Sequence, residues 1–165
     1  MKVIVVYESH WGNTAAVANA IADGFGPEAQ VLTTDEASPS EVADADLIIA
    51  GAPVMAFGLP SDRMLATLPS DHKAPAPPDM SHPSMRSWLE QVPAGHGRSA
   101  RFETGLRWSP GGATGAIGHK LEAAGFKRLG KARRFVVTSS YGPLREGELQ
   151  RAQEWGTELA DAMTA

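Results

Sequence analysis

The sequence predicts an α/β fold, with a five-stranded parallel sheet covered by helices on both faces. Short runs of β-branched and aliphatic residues alternate along the chain with segments whose apolar residues recur at helical spacing. This alternation is typical of parallel strands joined by crossover helices. The length of 165 residues, with 42% hydrophobic and 21% charged residues, is ordinary for one globular domain. We therefore expect a single domain over residues 1–165.

The first strand and the first helix have the clearest patterns. Val3–Tyr7 is a continuous apolar run rich in β-branched side chains, which fits a strand that is buried on both faces. From residue 13 to residue 25, apolar side chains fall at i, i+3, i+4 and i+7, which is the pattern of one helical face. Gly12 or Asn13 is placed to cap this helix, and Gly26-Pro27 ends it.

The remaining elements continue the same alternation of strand and helix. Four further strands are predicted, at Gln30–Thr33, Leu47–Ala50, Arg101–Thr104 and Arg134–Thr138. Two further long helices are predicted at Ala113–Ala124 and Glu148–Met163, each with apolar residues in register on one face. Together with Val3–Tyr7, the four later strands complete the five strands of the predicted sheet.

Residues 69–84 interrupt this alternation. Prolines at positions 69, 75, 77, 78 and 83 exclude a core helix, because proline removes a backbone donor and fixes φ. We expect a surface insertion between the third and fourth strands. The alternative is a lid or a loop that docks a partner, since long loops in compact domains are often functional. Asp79 and His82 within it are expected to be solvated rather than to bind a metal.

Composition and charge exclude several classes of protein. The chain has no cysteine, which excludes disulfides, thiolate nucleophiles and cysteine-ligated metals. Its net charge of −4 argues against nucleic-acid binding, which usually requires a basic excess. No apolar run is long enough to cross a bilayer, and the first residues do not resemble a signal peptide. We expect a cytoplasmic protein with no nucleic-acid partner, no membrane partner and no metal.

The topology predicts where a ligand binds. In open parallel sheets, ligands lie outside the carboxyl ends of the strands, at the point where the strand order reverses. The candidate binding loops are therefore Glu8–Asn13, Ala52–Pro60, Thr104–Gly112 and Ser139–Arg145.

The first of these loops has the composition of a phosphate site. It leads into a helix N-terminus, where free N–H groups and the helix dipole attract anions. Hydroxyl groups on Ser9 and Thr14 add donors, and Gly12 allows close approach of the backbone. These features predict a phosphate cradle that needs no basic side chain. The alternative is that the same polar residues only cap the helix. The sequence matches neither a Walker A loop nor a G-x-G-x-x-G turn.

Three stretches of the chain resemble the flavodoxin family. The opening segment reads VYESHWGNT over residues 6–14, followed by AVANAIA, and is similar to the family's phosphate loop and first helix. Residues 45–53, ADLIIAGAP, followed by AFG at 56–58, resemble its third strand and flavin-side loop. The pairs at 125–126 and 155–156, with GPL at 142–144, resemble a small single-domain branch of the family. The resemblance implies a flavodoxin-like three-layer sandwich that binds FMN.

The resemblance also implies which residues contact FMN. The phosphate would be wrapped by Ser9, His10, Trp11, Gly12, Asn13 and Thr14. One side of the isoalloxazine ring would lie against Pro53, Val54, Met55, Ala56, Phe57 and Gly58, and the other against Thr104, Gly105 and Trp108. Family members often carry a hydroxyl residue at the position of Val54 and small residues at the positions of His10 and Trp11.

The function implied by the resemblance is that of a soluble electron carrier. Its partners would be redox proteins, and the chain would be a monomer or a weak homodimer. A carrier needs no catalytic residue, because FMN performs the redox chemistry. Two alternatives stay open: an FMN-dependent NAD(P)H oxidoreductase acting on a quinone-like acceptor, and a domain of this fold that has lost its flavin.

Overall fold

The computed structural model describes all 165 residues and contains six strands and six α-helices. The strands are β1 (Val3–Tyr7), β2 (Ala29–Thr33), β3 (Leu47–Pro53), β4 (Arg98–Leu106), β5 (Lys127–Arg128) and β6 (Arg133–Val137). The helices are α1 (Asn13–Phe25), α2 (Pro39–Val42), α3 (Asp62–Leu65), α4 (Met85–Glu90), α5 (Thr114–Ala123) and α6 (Glu148–Thr164). A single 3₁₀ turn spans Leu68–Ser70.

All strands of the sheet run parallel, in the order β2-β1-β3-β4 followed by β5 and β6. The last two strands share one position, because β5 pairs with the start of β4 and β6 pairs with its end. This is the doubly wound order 2-1-3-4-5, in which the strand order reverses between β1 and β3. The predicted α/β fold is confirmed, with the fifth position of the sheet built from two short strands.

Strand β4 is longer than the sequence predicted. Its apolar pattern is interrupted, because one of its faces is polar. Ala100 and Phe102 enter the apolar core on one face of the sheet, whereas Arg101 on the opposite face packs beside Gly118 of α5. The sequence therefore predicted only Arg101–Thr104 and missed both ends of the strand. Strand β5 was not predicted, since its two residues are both basic and exposed.

The sheet separates two apolar cores. The β1 side chains alternate between them: Val3 and Val5 pack towards α1 and α6, whereas Ile4 and Val6 pack towards α4 and α5. Because β1 is buried on both faces, its carboxyl end is a rigid starting point for the loop that follows. None of the helices combines the length and the apolarity that a membrane-spanning segment requires.

Helices α1 and α6 cross at close range through two glycines. A Cβ added to Gly156 would overlap the backbone carbonyl of Ile21, and one added to Gly24 would overlap the carbonyl of Gln153. Only glycine permits this approach of the two backbones. The crossing fixes α1, and with it the helix N-terminus that faces the carboxyl end of β1.

A buried carboxylate joins α6 to the end of β6. Glu148, 2% exposed, accepts a hydrogen bond from the Val136 N–H at 2.6 Å and ion pairs from Arg145 and Arg151. Burial alone would raise the pKa of Glu148, but the hydrogen bonds from Arg151, Val136 and Arg145 lower it to about 2. The carboxylate is therefore charged at neutral pH and anchors both ends of the loop between β6 and α6.

Candidate functional site

A cavity of about 350 Å³ opens at the carboxyl ends of β1, β3, β4 and β6. This volume lies within the range of about 300–1,000 Å³ that is usual for small-molecule sites. Its lining comes from the carboxyl ends of β3, β4 and β6, from the loops that follow the four strands and from the segment between β3 and α4. The lining residues are Ser9, His10, Trp11, Asn13, Thr14, Pro53, Val54, Met55, Ala56, Met64, Leu68, Asp71, Thr104, Gly105, Leu106, Ser109, Val137, Ser140 and Tyr141.

The cavity brings together most of the residues predicted to contact a ligand. Those that line it are Ser9, His10, Trp11, Asn13, Thr14, Pro53, Val54, Met55, Ala56, Thr104 and Gly105. Gly12, Phe57, Gly58 and Trp108 do not line it. Phe57 is 67% exposed and Trp108 is 83% exposed, so both aromatic rings stand at the surface beside the cavity rather than inside it.

The loop of residues 9–14, here called the first loop, leads into α1 and places the start of this helix at the cavity. Gly12 precedes the helix with a φ of +93°, a backbone conformation that favours glycine. Its N–H donates to Ser9 Oγ at 3.2 Å. The first N–H groups of α1 have no partner within the helix, so the electropositive end of the helix lies where Asn13 and Thr14 line the cavity.

Two buried hydroxyl groups meet on the floor of the cavity. Thr14 Oγ1 and Thr104 Oγ1 are 2.8 Å apart, and either can donate to the other. Since the pair has two hydroxyl hydrogens and uses only one between them, the second remains available as a donor. The contact joins the first loop directly to the end of β4.

A tight turn forms the part of the wall that follows β3. Met55 and Gly58 exchange two backbone hydrogen bonds, at 2.9 and 3.1 Å. The two residues between them, Ala56 and Phe57, have φ angles of +43° and +73°, as the central residues of a type I′ turn do. Such backbone costs a non-glycine residue about 1–2 kcal/mol. The Gly112 N–H, which donates to the Phe57 carbonyl at 3.0 Å, helps to hold the turn.

One ion pair organises the wall that follows β4. Glu103, buried under the start of α5, accepts from Arg134 Nε at 2.6 Å and from the Ala113 N–H at 2.8 Å. The same guanidinium donates to the backbone carbonyls of Leu106, Ser109 and Gly111. A single arginine on β6 therefore shapes the loop that carries Leu106 and Ser109. Sequence reasoning missed this role, because no local spacing connects residue 134 to residue 103.

The proline-rich segment is attached to the first loop. Residues 71–85, here called the strap, make several polar contacts around the cavity. The Asp79 N–H donates to the His10 carbonyl at 2.8 Å, and Trp11 Nε1–H donates to the Ala76 carbonyl at 3.0 Å. The Tyr141 hydroxyl donates to Asp71 Oδ2 at 2.6 Å. Further contacts, of His82 with Ser9, of Met85 with Glu8 and of Asp79 with His10, belong to a buried cluster beneath the loop.

Beneath the first loop lies a buried cluster of Glu8, His10 and His82. Glu8 Oε1 accepts from the Met85 N–H at 2.7 Å, and Glu8 Oε2 lies 2.6 Å from His10 Nε2. His10 Nδ1–H donates to the Asp79 carbonyl at 2.8 Å. Burial would lower the pKa of His10, but the hydrogen bonds to Glu8 and to Asp79 outweigh it and raise the pKa.

The expectation that Asp79 and His82 are both solvated is wrong for His82. The Asp79 side chain is 57% exposed, but His82 is 9% exposed and packs against the ring of His10. The Pro-rich composition around it concealed this burial.

No group of three or more histidine or acidic side chains is arranged to hold a metal ion.

A parallel sheet of order 2-1-3-4-5, with a cavity at its β1/β3 switch point, defines a doubly wound α/β protein of the flavodoxin type. The sequence profile of the flavodoxin family matches residues 5–158. The chain belongs to the flavodoxin family.

Solved structures of low sequence identity share this fold. A flavodoxin from the domain Archaea is 21% identical over the whole of both chains, with a TM-score of 0.69. Oxidised Flavodoxin 1 from Bacillus cereus is 17% identical over 98% of each chain, with a TM-score of 0.68. The chain also matches 36% of the Flv1 flavodiiron core from Synechocystis, at 21% identity and a TM-score of 0.63. No curated protein sequence matches the chain.

Proposed function

We propose that the chain binds FMN in the cavity and carries electrons between redox proteins. The observation that carries the proposal is the meeting of the α1 N-terminus, the Thr14–Thr104 hydroxyl pair and an apolar wall in one cavity at the switch point. Members of the flavodoxin family typically bind FMN. FMN supplies the electron transfer when it is bound, and the protein supplies binding and orientation.

The residues of the first loop fit a phosphate group. The free N–H groups at the start of α1 are uncharged donors, and the helix dipole adds a partial positive charge beside them. The spare hydroxyl hydrogen of Thr14 and Thr104 is a further donor. We assign Ser9, Gly12, Asn13 and Thr14 to the phosphate, with His10 and Trp11 holding the loop against the strap.

The walls beyond the first loop fit a flat aromatic ring. Pro53–Ala56 form one part of the wall, and Thr104–Leu106, from the neighbouring strand, line the cavity beside them. We assign Pro53–Gly58 to one side of the isoalloxazine ring. Thr104, Gly105 and Trp108 are assigned to the other side. Phe57 and Trp108 belong to this proposal as exposed aromatics, each next to a lining residue, which a bound ring would partly cover.

The titratable groups of the cavity favour a carrier over a reductase. His10, Asp71 and Tyr141 are the titratable residues that line it. All three are engaged within the protein: His10 with Glu8 and the Asp79 carbonyl, and Asp71 with the Tyr141 hydroxyl. No uncommitted titratable side chain therefore lines the cavity, and a carrier of electrons needs none.

Reduction by a nicotinamide distinguishes an electron carrier from an NAD(P)H oxidoreductase. The protein loaded with FMN is mixed with NADPH without oxygen, and the flavin absorbance is followed. A carrier keeps the oxidised spectrum over minutes and bleaches when dithionite is added. Rapid bleaching by NADPH, faster than that of free FMN, would contradict the carrier and favour the oxidoreductase.

Substitutions in the first loop test the phosphate assignment. Thr14→Ala removes a hydroxyl donor, and Asn13→Ala removes an amide that donates one N–H to the Tyr141 carbonyl at 3.0 Å and has a second N–H to offer the phosphate. We expect each to weaken FMN binding by about 1–3 kcal/mol, the usual value for a hydrogen bond to a charged group. Titration of flavin fluorescence measures the change. Asn19→Ala, on the exposed side of the same helix, is the control and is expected to bind normally. Unchanged affinity in both test variants would count against the assignment.

A further inference from the structure

We infer that His82 is a positioning residue of the first loop: its unprotonated Nε2 holds the Ser9 N–H, and a proton on Nε2 breaks this link between the loop and the strap. The structural part of this inference stands on the geometry of the protein alone. Its consequence for FMN rests on the function proposed above.

The hydrogen bond fixes which nitrogen of His82 carries the proton. The Ser9 N–H points to His82 Nε2 at 3.1 Å, and both residues are buried. Since an N–H group only donates, Nε2 must present its lone pair. The ring proton therefore lies on Nδ1. That atom is buried without a hydrogen-bond partner, and the nearest carboxylate oxygen, Asp79 Oδ1, is 3.9 Å away.

The surroundings of the ring disfavour a second proton. His82 is stacked on His10, with ring centroids 5.4 Å apart and an interplanar angle of 22°. Burial lowers the pKa of His82 and the charge of His10 lowers it further, against the opposing effects of Asp79, Glu8 and Asp35. These groups come from the strap, from β1 and its loop, and from the segment after β2. At neutral pH the ring is uncharged and the bond to Ser9 is intact.

Protonation of His82 would place two donors face to face. The new Nε2–H would oppose the Ser9 N–H, and the bond between them would be lost. Ser9 also accepts from the Gly12 N–H and lines the cavity, so the change would reach the turn before α1. Because the pKa of His82 is lowered in the held conformation, this conformation is fully favoured above the ordinary value of about 6.5 and loses stability as the pH falls below it.

The direction in which FMN affinity changes with pH distinguishes a positioning role of His82 from simple charge attraction. If His82 acted as a cation towards a phosphate, FMN would bind more tightly in acid, because protonation would add a positive charge nearby. If it positions the loop, FMN binds more weakly in acid. The two mechanisms predict opposite slopes of affinity against pH.

Nuclear magnetic resonance of the ligand-free protein tests the structural part. We expect the ring ¹⁵N shifts of His82 at about pH 7.5 to show a neutral ring protonated on Nδ1. The Ser9 amide proton is expected to shift with the same midpoint as His82, below about pH 6.5. A ring protonated on Nε2 at neutral pH, or a Ser9 amide that ignores the titration of His82, would overturn the inference whether or not FMN binds.

The FMN dissociation constant, measured from about pH 5 to about pH 8, tests the consequence. His82→Gln keeps an acceptor near the position of Nε2 but does not titrate. We expect the wild type to lose about tenfold more affinity in acid than His82→Gln does. Titration of the FMN phosphate, with a pKa near 6, affects both proteins equally. The exposed His119, changed to Gln, is the matched control and is expected to follow the wild type.

The outcomes distinguish this inference from the function on which it rests. A His82→Gln profile equal to that of the wild type, or wild-type affinity that rises in acid, would overturn the positioning role. Failure of every variant to bind FMN at about pH 8 would instead overturn the proposed function. The resonance experiment would still decide the role of His82 in that case.

Discussion

Replacing Glu8 by alanine is expected to lower the free energy of unfolding by about 3–5 kcal/mol, the usual cost of removing one partner of a buried charged pair. Glu8 is fully buried and accepts from the Met85 N–H while its other oxygen meets His10 Nε2. Alanine would leave both of these groups without a partner inside the protein. Chemical denaturation monitored by tryptophan fluorescence measures the loss.

The Glu8 variant should also loosen the strap. Because Glu8 reaches Met85 at the end of the strap, we expect faster amide hydrogen exchange over residues 76–85 than in the wild type. Glu41→Ala is the control, since Glu41 forms only an exposed pair with Lys2 at 3.8 Å, which is usually worth under about 1 kcal/mol. A loss of stability no larger in Glu8→Ala than in Glu41→Ala would contradict the structural role of the buried cluster.

Gly156→Ala is expected to destabilise the protein by about 2–3 kcal/mol, although alanine is the better helix former. The added Cβ would overlap the Ile21 carbonyl of α1, and backbone atoms in a packed helix pair have little room to move. The two helices would have to separate. Thermal or urea unfolding of the variant measures the change.

Gly115→Ala is the matched control for this substitution. Gly115 is also helical, in α5, and a Cβ at this position meets no atom within 4 Å. Here the helix propensity of alanine is the main effect, so we expect a stability unchanged or raised by up to about 1 kcal/mol. Equal effects at the two positions would show that the close α1–α6 crossing is not what requires glycine at position 156.

The fold could be predicted from the sequence because its central elements have strong local patterns. Strand β1 is apolar on both faces, and α1 has apolar residues at helical spacing, so each indicates its own structure. Strand β5 and the full length of β4 could not be predicted, because their polar and basic residues are specified by neighbours distant in sequence. Register with β4 is what makes Lys127–Arg128 a strand.

The candidate site could be predicted in part, for a related reason. The carboxyl ends of parallel strands meet at one edge of a sheet, so the loops after β1, β3 and β4 indicated the cavity in advance. Met64, Leu68 and Asp71 line it as well, but they lie in a segment without a periodic pattern. Tyr141 lies in one of the candidate binding loops, but the sequence did not indicate which residue of that loop would line the cavity.

The burial of His82 could not be predicted from the sequence. A histidine between a serine and a proline in a Pro-rich segment is typical of a solvated loop. Its burial depends on contacts with Ser9 and His10, more than 70 residues earlier in the chain. Phe57 and Trp108 were predicted as ring contacts from the resemblance to the flavodoxin family, and both stand exposed beside the cavity.

The central claim is that the first loop and the start of α1 bind the phosphate of FMN, and the most direct test compares FMN with riboflavin, which lacks that phosphate. Both are titrated into the folded protein at about pH 8, and the quenching of flavin fluorescence is recorded. We predict saturable binding of FMN at one site and an affinity for riboflavin at least about tenfold weaker, because several charge-assisted hydrogen bonds are absent. No saturable binding of FMN, or equal affinity for the two flavins, would contradict the account.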